Sequence, residues 1–235
     1  MTFKLLTVGN PKTMKGEEQG YLTFILHLAP ANVSGYETCP KATEGCKAAC
    51  LNTAGRGGMF KPGGTNVIQE ARKRKTRLFF ENRGAFMTLL WNDIRRGIEY
   101  AKKRNLIPVF RLNGTSDIAW EKIRFQEYRN IMDAFPTVQF YDYTKILGRK
   151  NLPANYSLTF SRAESNEMDT RLAASAGMNV AVVFSTKVLP AVYLGRQVFN
   201  GDESDLRFLD PKGVVVGLYA KGRAKKDTSG FVVKV

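Results

Sequence analysis

Cysteine is scarce in this chain. Its 235 residues hold three, all in the run Cys39-Pro-Lys-Ala-Thr-Glu-Gly-Cys46-Lys-Ala-Ala-Cys50. Three thiols that close cannot all pair as disulfides, so a disulfide-stapled scaffold is excluded. Histidine is scarcer still: His27 is the single one, and a histidine-based catalytic triad has few places to form. No apolar run approaches the roughly 18 to 20 residues needed to cross a bilayer, and the start from Met1 to Asn10 lacks the long apolar stretch and cleavage site of a signal peptide. The expectation is a soluble cytoplasmic protein with reduced thiols and no membrane partner. Acidic residues are the minority, 21 against 36 Lys and Arg, a net charge of +15. That excess points to a polyanionic partner, either nucleic acid or a phosphorylated small molecule. Walker A order is absent, the Asn200–Gly213 stretch lacks EF-hand spacing, and no repeat, low-complexity tract or linker divides the chain. One domain over residues 1–235 is expected.

What is there begins with the cysteines. Cys39, Cys46 and Cys50 can hold three corners of a [4Fe–4S] cluster and leave the fourth iron open. Zinc is the alternative metal, with His27 as a fourth ligand, and unliganded thiols in a loop are the third reading. Pro40, Gly45, Ala42, Ala48 and Ala49 suit a tightly wrapped cage, and Gly55, Gly57, Gly58, Gly63 and Gly64 follow closely.

Apolar β-rich runs alternate with helical stretches. Strands are expected at Tyr21–Leu28, Ile107–Leu112, Thr137–Tyr141, Tyr156–Phe160, Asn179–Phe184 and Val214–Leu218. Helical periodicity runs from Thr65 to about Arg104 with a break near Asn82-Arg83-Gly84, then over Ile118–Ala134 and Asn166–Ala176, the last ending at Gly177. Six mostly parallel strands with outer helices predict an α/β fold, a partial (β/α)6 barrel, with an open doubly wound sheet as the alternative. The cysteine loop, 39–50, directly follows the first strand. Polar residues follow the others: Asn113, Ser116 and Asp117; Tyr143, Thr144 and Lys145; Ser161, Arg162 and Glu164; Ser185, Thr186 and Lys187; Lys221 and Arg223. Taken singly they are ordinary turn formers. In a parallel barrel they share one rim with the cysteines. The run Ala71–Arg77 predicts a helix with a wet basic face on which Arg72, Arg74 and Arg77 are placed for phosphate, and residues 200–213 a polar surface excursion. The tail from Ala220 reads as a basic loop able to grip phosphate.

A three-cysteine loop after the first strand of such a barrel resembles the radical S-adenosylmethionine superfamily, over roughly Tyr21 to Leu218. The spacing here is C-x6-C-x3-C, where that superfamily commonly has C-x3-C-x2-C, and Ala49 stands where an aromatic residue is usual. The resemblance implies an enzyme in which Cys39, Cys46 and Cys50 bind the cluster and Asn113, Ser116 and Asp117 contact S-adenosylmethionine. Tyr143, Lys145, Ser161, Arg162, Glu164 and Lys221 would line the substrate mouth, for a nucleic acid or nucleotide. The chain also resembles uncharacterised bacteriophage proteins sharing C-P-x-A-x2-G-C-x3-C and a tail like Gly217–Asp227, which implies the host cell cytoplasm. The competing function is a non-catalytic nucleic-acid-binding module with a structural zinc or iron–sulfur site.

Overall fold

A computed structural model describes residues 4–8, 11–60, 64 and 66–235, the first three of α1 by backbone alone. Thr65, the expected start of the helical stretch, Gly63 and part of the first ten residues lie outside the described residues.

The chain runs through β1 (Leu6–Thr7), α1 (Pro11–Glu17), β2 (Tyr21–Leu26), α2 (Glu44–Ala48), α3 (Val67–Glu81), α4 (Arg83–Lys103), β3 (Ile107–Arg111), β4 (Gln139–Thr144), β5 (Tyr156–Ser161), α5 (Glu167–Ser175), β6 (Val180–Phe184), β7 (Val192–Tyr193), β8 (Arg196–Asn200) and β9 (Val215–Tyr219). Among the described residues the strands form one nine-stranded sheet in the order β1-β2-β3-β4-β5-β6-β9-β8-β7. Strands β2 to β6 lie side by side in chain order and all parallel, β9 is parallel to β6, and only the short edges β1 and β7 run antiparallel to their neighbours. The fold is therefore mixed α/β with a large, mostly parallel sheet. From β2 to β6 the order shows no reversal of the kind that marks a doubly wound sheet. Five consecutive strands thus deliver their following loops to one edge, the carboxyl rim.

Strand side chains alternate between faces. Leu22, Phe24, Phe110, Leu112 and Phe140 face one way, into a core completed by Phe79, Phe86, Leu90 and Ile94 of α3 and α4 and by Trp120. The α3–α4 break falls as expected, because the Asn82 side chain accepts the Ala85 amide and restarts the helix. Helix α5 ends before Gly177 at φ 84°, a left-handed position that suits glycine.

Several expectations need correction. The helix over Ile118–Ala134 does not form; a short 3-10 turn at Trp120–Lys122, a bridge between Phe125 and Tyr128, and turns take its place. Side chains fix local turns there: Asn113 Oδ1 accepts from Ile118 N at 2.9 Å and Asn130 Oδ1 from Asp133 N at 3.0 Å. The third expected strand begins two residues late, because the Val138 amide closes a turn onto Phe135 O, and it extends to Thr144, so Tyr143 and Thr144 lie within the strand. The stretch from Asn200 to Gly213 is no surface excursion. Asp205, Leu206 and Arg207 are buried against the second face of the sheet, with Arg111 Nη1 3.0 Å from Asp205 Oδ2. Its polarity misleads because its charges are paired inside.

Helix α3 is helical as expected, but its arginines do not share one wet face. At about 100° per residue, Arg72 points well away from Arg74 and Arg77. Arg74 and Arg77 are exposed, whereas Arg72 turns inward to Asn52 O at 2.9 Å and Lys75 is buried on Leu5 O at 2.6 Å.

Candidate functional site: the cysteine rim

The loop after β2 is pinned from below. Thr38 Oγ1 donates to Ala29 O at 2.7 Å, the Ala29 amide donates to Thr76 Oγ1 of α3 at 2.8 Å, and the Asp117 amide donates to Thr38 O at 2.8 Å. Cys39 follows Thr38, with its Sγ 3.8 Å from Thr115 O. Cys46 lies in α2, whose start is capped by Thr43; Cys50 follows its end, and its Sγ accepts the Asn52 amide at 3.5 Å. Glu164, from the loop after β5, reaches across to α2: Oε2 accepts from Thr43 Oγ1 and Oε1 from Gly45 N, both at 2.7 Å. Gly45 is needed there, since a Cβ would press on Glu164 and Ser229.

The three thiols are free and half-buried. Burial pushes the Cys39 thiol up to about 11, with Cys50 and Asp117 among the charges that add to the rise. Burial also raises Cys50; Cys46 repels its thiolate, while Arg72 and Lys145 attract it. The site therefore joins three cysteines, a carboxylate and two cations from four different loops or helices. Among the described residues, no three of His, Cys, Asp and Glu stand close enough together to hold a metal ion. The donor types nevertheless suit a thiolate-bound group: the loop offers three soft sulfurs, and Arg72 and Lys145 favour the thiolate of Cys50 against its burial. His27 fits zinc poorly. Its Nδ1 lies 3.4 Å from Thr7 Oγ1, and burial, then Arg72, Arg111 and Lys75, hold its pKa down to about 3, a cationic setting that opposes a bound metal ion.

The other expected site residues divide into groups. Asn113 is buried and committed: Oδ1 accepts from Ser116 Oγ, Ile118 N and Trp120 Nε1, and Nδ2 donates to Ile118 O. Asn113 and Ser116 thus shape the loop, while Asp117 stands beside Cys39, accepts the Lys145 amide at 2.7 Å and lies 3.8 Å from Arg149 Nη1. Lys145 and Ser161 meet at the rim, Nζ to Oγ 2.9 Å, beside Phe231. Arg162 donates to Gly230 O and to Phe231 O at 3.0 Å and so anchors the tail. Tyr143 is separated from this group, on the second face of the sheet under the Arg111 guanidinium. Lys221 is held by Asp202 at 2.6 Å.

Sequence reasoning missed Arg72 as a partner of Cys50, the Asn52–Gln69 lock that seats it, and the buried Arg111–Asp205 pair. A signal existed for the last: Arg111 is a lone charge closing the apolar run Ile107-Pro-Val-Phe-Arg111. A cleft of about 410 Å³ adjoins the rim between Ala48–Ala49 and Arg223, Lys226 and Ser229. A wider one of about 910 Å³ is lined by Pro136 and Asn151–Asn155, before β4 and β5 begin, and so opens at the other end of the sheet.

Fold and site define a mixed α/β protein whose three cysteines sit on the carboxyl rim of a mostly parallel sheet. The chain belongs to the family described as Gene product 88, whose model matches residues 4–235. That membership agrees with the resemblance to bacteriophage proteins and brings no support from an iron–sulfur or S-adenosylmethionine family. No curated protein and no solved structure matches the chain. Among the described residues no helix is long and apolar enough to cross a membrane.

Proposed function

We propose that Cys39, Cys46 and Cys50 hold a [4Fe–4S] cluster and that the protein is a radical S-adenosylmethionine-like enzyme acting on a nucleic acid or nucleotide. The observation that supports this reading is the placement of all three cysteines in the loop and short helix that follow β2, at the carboxyl rim of five consecutive parallel strands, with Arg72 and Lys145 acting on the Cys50 thiol. When bound, the cluster supplies a single electron to the cofactor it chelates. The chain's own part is to hold and shield. Glu164 and Thr43 fix the start of α2, Arg72 and Lys145 offset thiolate charge at Cys50, and Asp117, whose carboxylate acts on the Cys39 thiol, would supply a contact for a cofactor amine. The unreversed order from β2 to β6 and the buried charges of the second face support a sheet curled into a partial (β/α)6 barrel with that face inward.

The test is metal content and absorbance of anaerobically purified protein. A brown protein absorbing near roughly 400 nm is expected, and each of Cys39→Ala, Cys46→Ala and Cys50→Ala should abolish its iron, since no fourth cysteine exists to substitute. One equivalent of zinc in a colourless protein would turn the reading to a structural site in a binding module. S-adenosylmethionine should shift the electron paramagnetic resonance of the reduced cluster, and an unchanged signal at saturation would sink the cofactor assignment.

A further inference from the structure

The two basic runs of this chain meet different fates. In α3, Arg72 and Lys75 are turned inward and Lys73 bonds Glu70 at 3.0 Å, which leaves Arg74 and Arg77. In the tail, Arg223, Lys225 and Lys226 are all exposed, and none makes an ion pair with an acidic side chain among the described residues. The nearby acid, Asp227, is occupied: its carboxylate accepts from Ser229, Gly230 and Val232, bonds that hold its pKa below the usual range although burial opposes this. Arg223 and Lys226 line the 410 Å³ groove against the end of the cysteine helix. Lys225 and Lys187 stand 5.5 and 5.9 Å from the ring centre of Tyr219, a half-buried tyrosine at the end of β9.

We propose that Tyr219, Lys187 and the Arg223–Lys226 segment form a docking surface for single-stranded nucleic acid, laid along the groove beside the cysteine helix. The chemistry is that of a strand and not of one small anion. Cations are spread over two places, the groove and the Tyr219 ring, so more than one phosphate is met, and an aromatic ring flanked by lysines suits an unpaired base with its phosphates alongside. This deepens the reading above, on which it rests for the meaning of the strand's path past the cysteines; the binding itself is measured independently of it.

The experiment titrates the full chain against a fluorescein-labelled single-stranded oligonucleotide at several salt concentrations. Neutralising the tail in Arg223→Gln/Lys225→Gln/Lys226→Gln should reduce the log–log salt slope by about two units, at roughly 0.7 per phosphate for single strands. Arg74→Gln/Arg77→Gln should leave the slope unchanged, and Tyr219→Leu should weaken binding about tenfold at constant slope. A charge-keeping Arg223→Lys/Lys225→Arg/Lys226→Arg variant should bind as wild type. The proposal is overturned if the tail variant keeps the wild-type slope, if the charge-keeping variant loses binding equally, or if the wild type binds phosphatidylserine vesicles and no oligonucleotide. Iron measured on the same preparations separates the two readings: binding without iron leaves this surface standing and removes the cluster, and iron without binding does the reverse.

Discussion

The two faces of the parallel sheet are made by alternate residues of the same strands; both bury apolar groups, but the first is built mainly of stacked rings and the second also encloses paired charges. On the face under α3 and α4, Phe24 stacks on Phe110 at 5.0 Å, Phe110 meets Phe140 at 5.6 Å, and Phe79 meets Trp120 at 5.3 Å, all buried. On the other, Thr23, Arg111 and Tyr141 face Asp205 and Arg207, equally buried or nearly so. The first face gains free energy with every ring removed from water. The second spends some of it, because each ion taken from water costs several kcal/mol before pairing returns part. A fold can keep such a face only where another supplies the stability, and here the aromatic face does so for the polar one and for the rim above it.

The largest effect should come from breaking the aromatic face. Phe110→Ala opens a cavity between the rings of Phe24 and Phe140 and should cost about 3 to 5 kcal/mol in urea unfolding. A loss below about 1.5 kcal/mol would mean that the helices do not carry the stability assigned to them. Next comes the polar face, where Arg111→Met removes the cation from Asp205 and should cost about 3 kcal/mol, while Arg111→Met with Asp205→Leu should return close to wild type, as buried pairs replaced by apolar groups do. Equal losses for the single and double variants would show that the pair holds the 3-10 turn at Arg207–Leu209 in place and is not simply tolerated.

The smallest and most discriminating effect is in pH dependence, where the faces should have opposite signs. Asp142 lies on the aromatic side, bonded to Asn113 N and Tyr156 Oη, and burial raises its pKa from 3.8 to about 7. The folded chain keeps a proton that the unfolded chain has released, so this stability is full below about pH 4 and is lost as pH rises through 7. His27, on the other side, has a pKa lowered from 6.5 to about 3 by burial, then by Arg72, Arg111 and Lys75. Its contribution is present above 6.5 and is lost as pH falls toward 3. Between about pH 4 and 7 the two act against each other, so urea midpoints should lose a fall with rising pH in Asp142→Asn and lose a rise with rising pH in His27→Gln; superimposable profiles would refute the assignment.

Legibility followed the range of the forces involved. Tyr21–Leu26, Ile107–Arg111, Tyr156–Ser161, Val180–Phe184 and Val215–Tyr219 were readable because β-branched and aromatic runs end in turn residues, and the α3–α4 break was readable because Asn82 is a local cap. Residues 118–134 carry helical periodicity and still do not form a helix; Asn113 from before the stretch and Asn130 within it hold its amides in turns. β1 and β7 are two residues each, too short for any period to show. At the site, the gathering of Cys39, Cys46 and Cys50 in one loop, and the place of Lys145 and Ser161 on the rim where they meet, followed from loop order. That Glu164 grips α2, and that Arg162 grips the tail, did not.

By itself the sequence determined the kinds of elements, the gathering of every thiol into one loop, and the charge of +15, because periodicity, turn chemistry and composition act over a few residues or over the whole chain. Only the tertiary structure decided where that charge is spent. Arg111 finds Asp205 across 94 positions, Arg72 finds Asn52 across 20, and the tail cations find no acidic side chain among the described residues, and nothing local distinguishes those three outcomes. Burial of a charge depends on a partner delivered by the folded chain, and the desolvation cost of an ion without one leaves it no alternative but the surface.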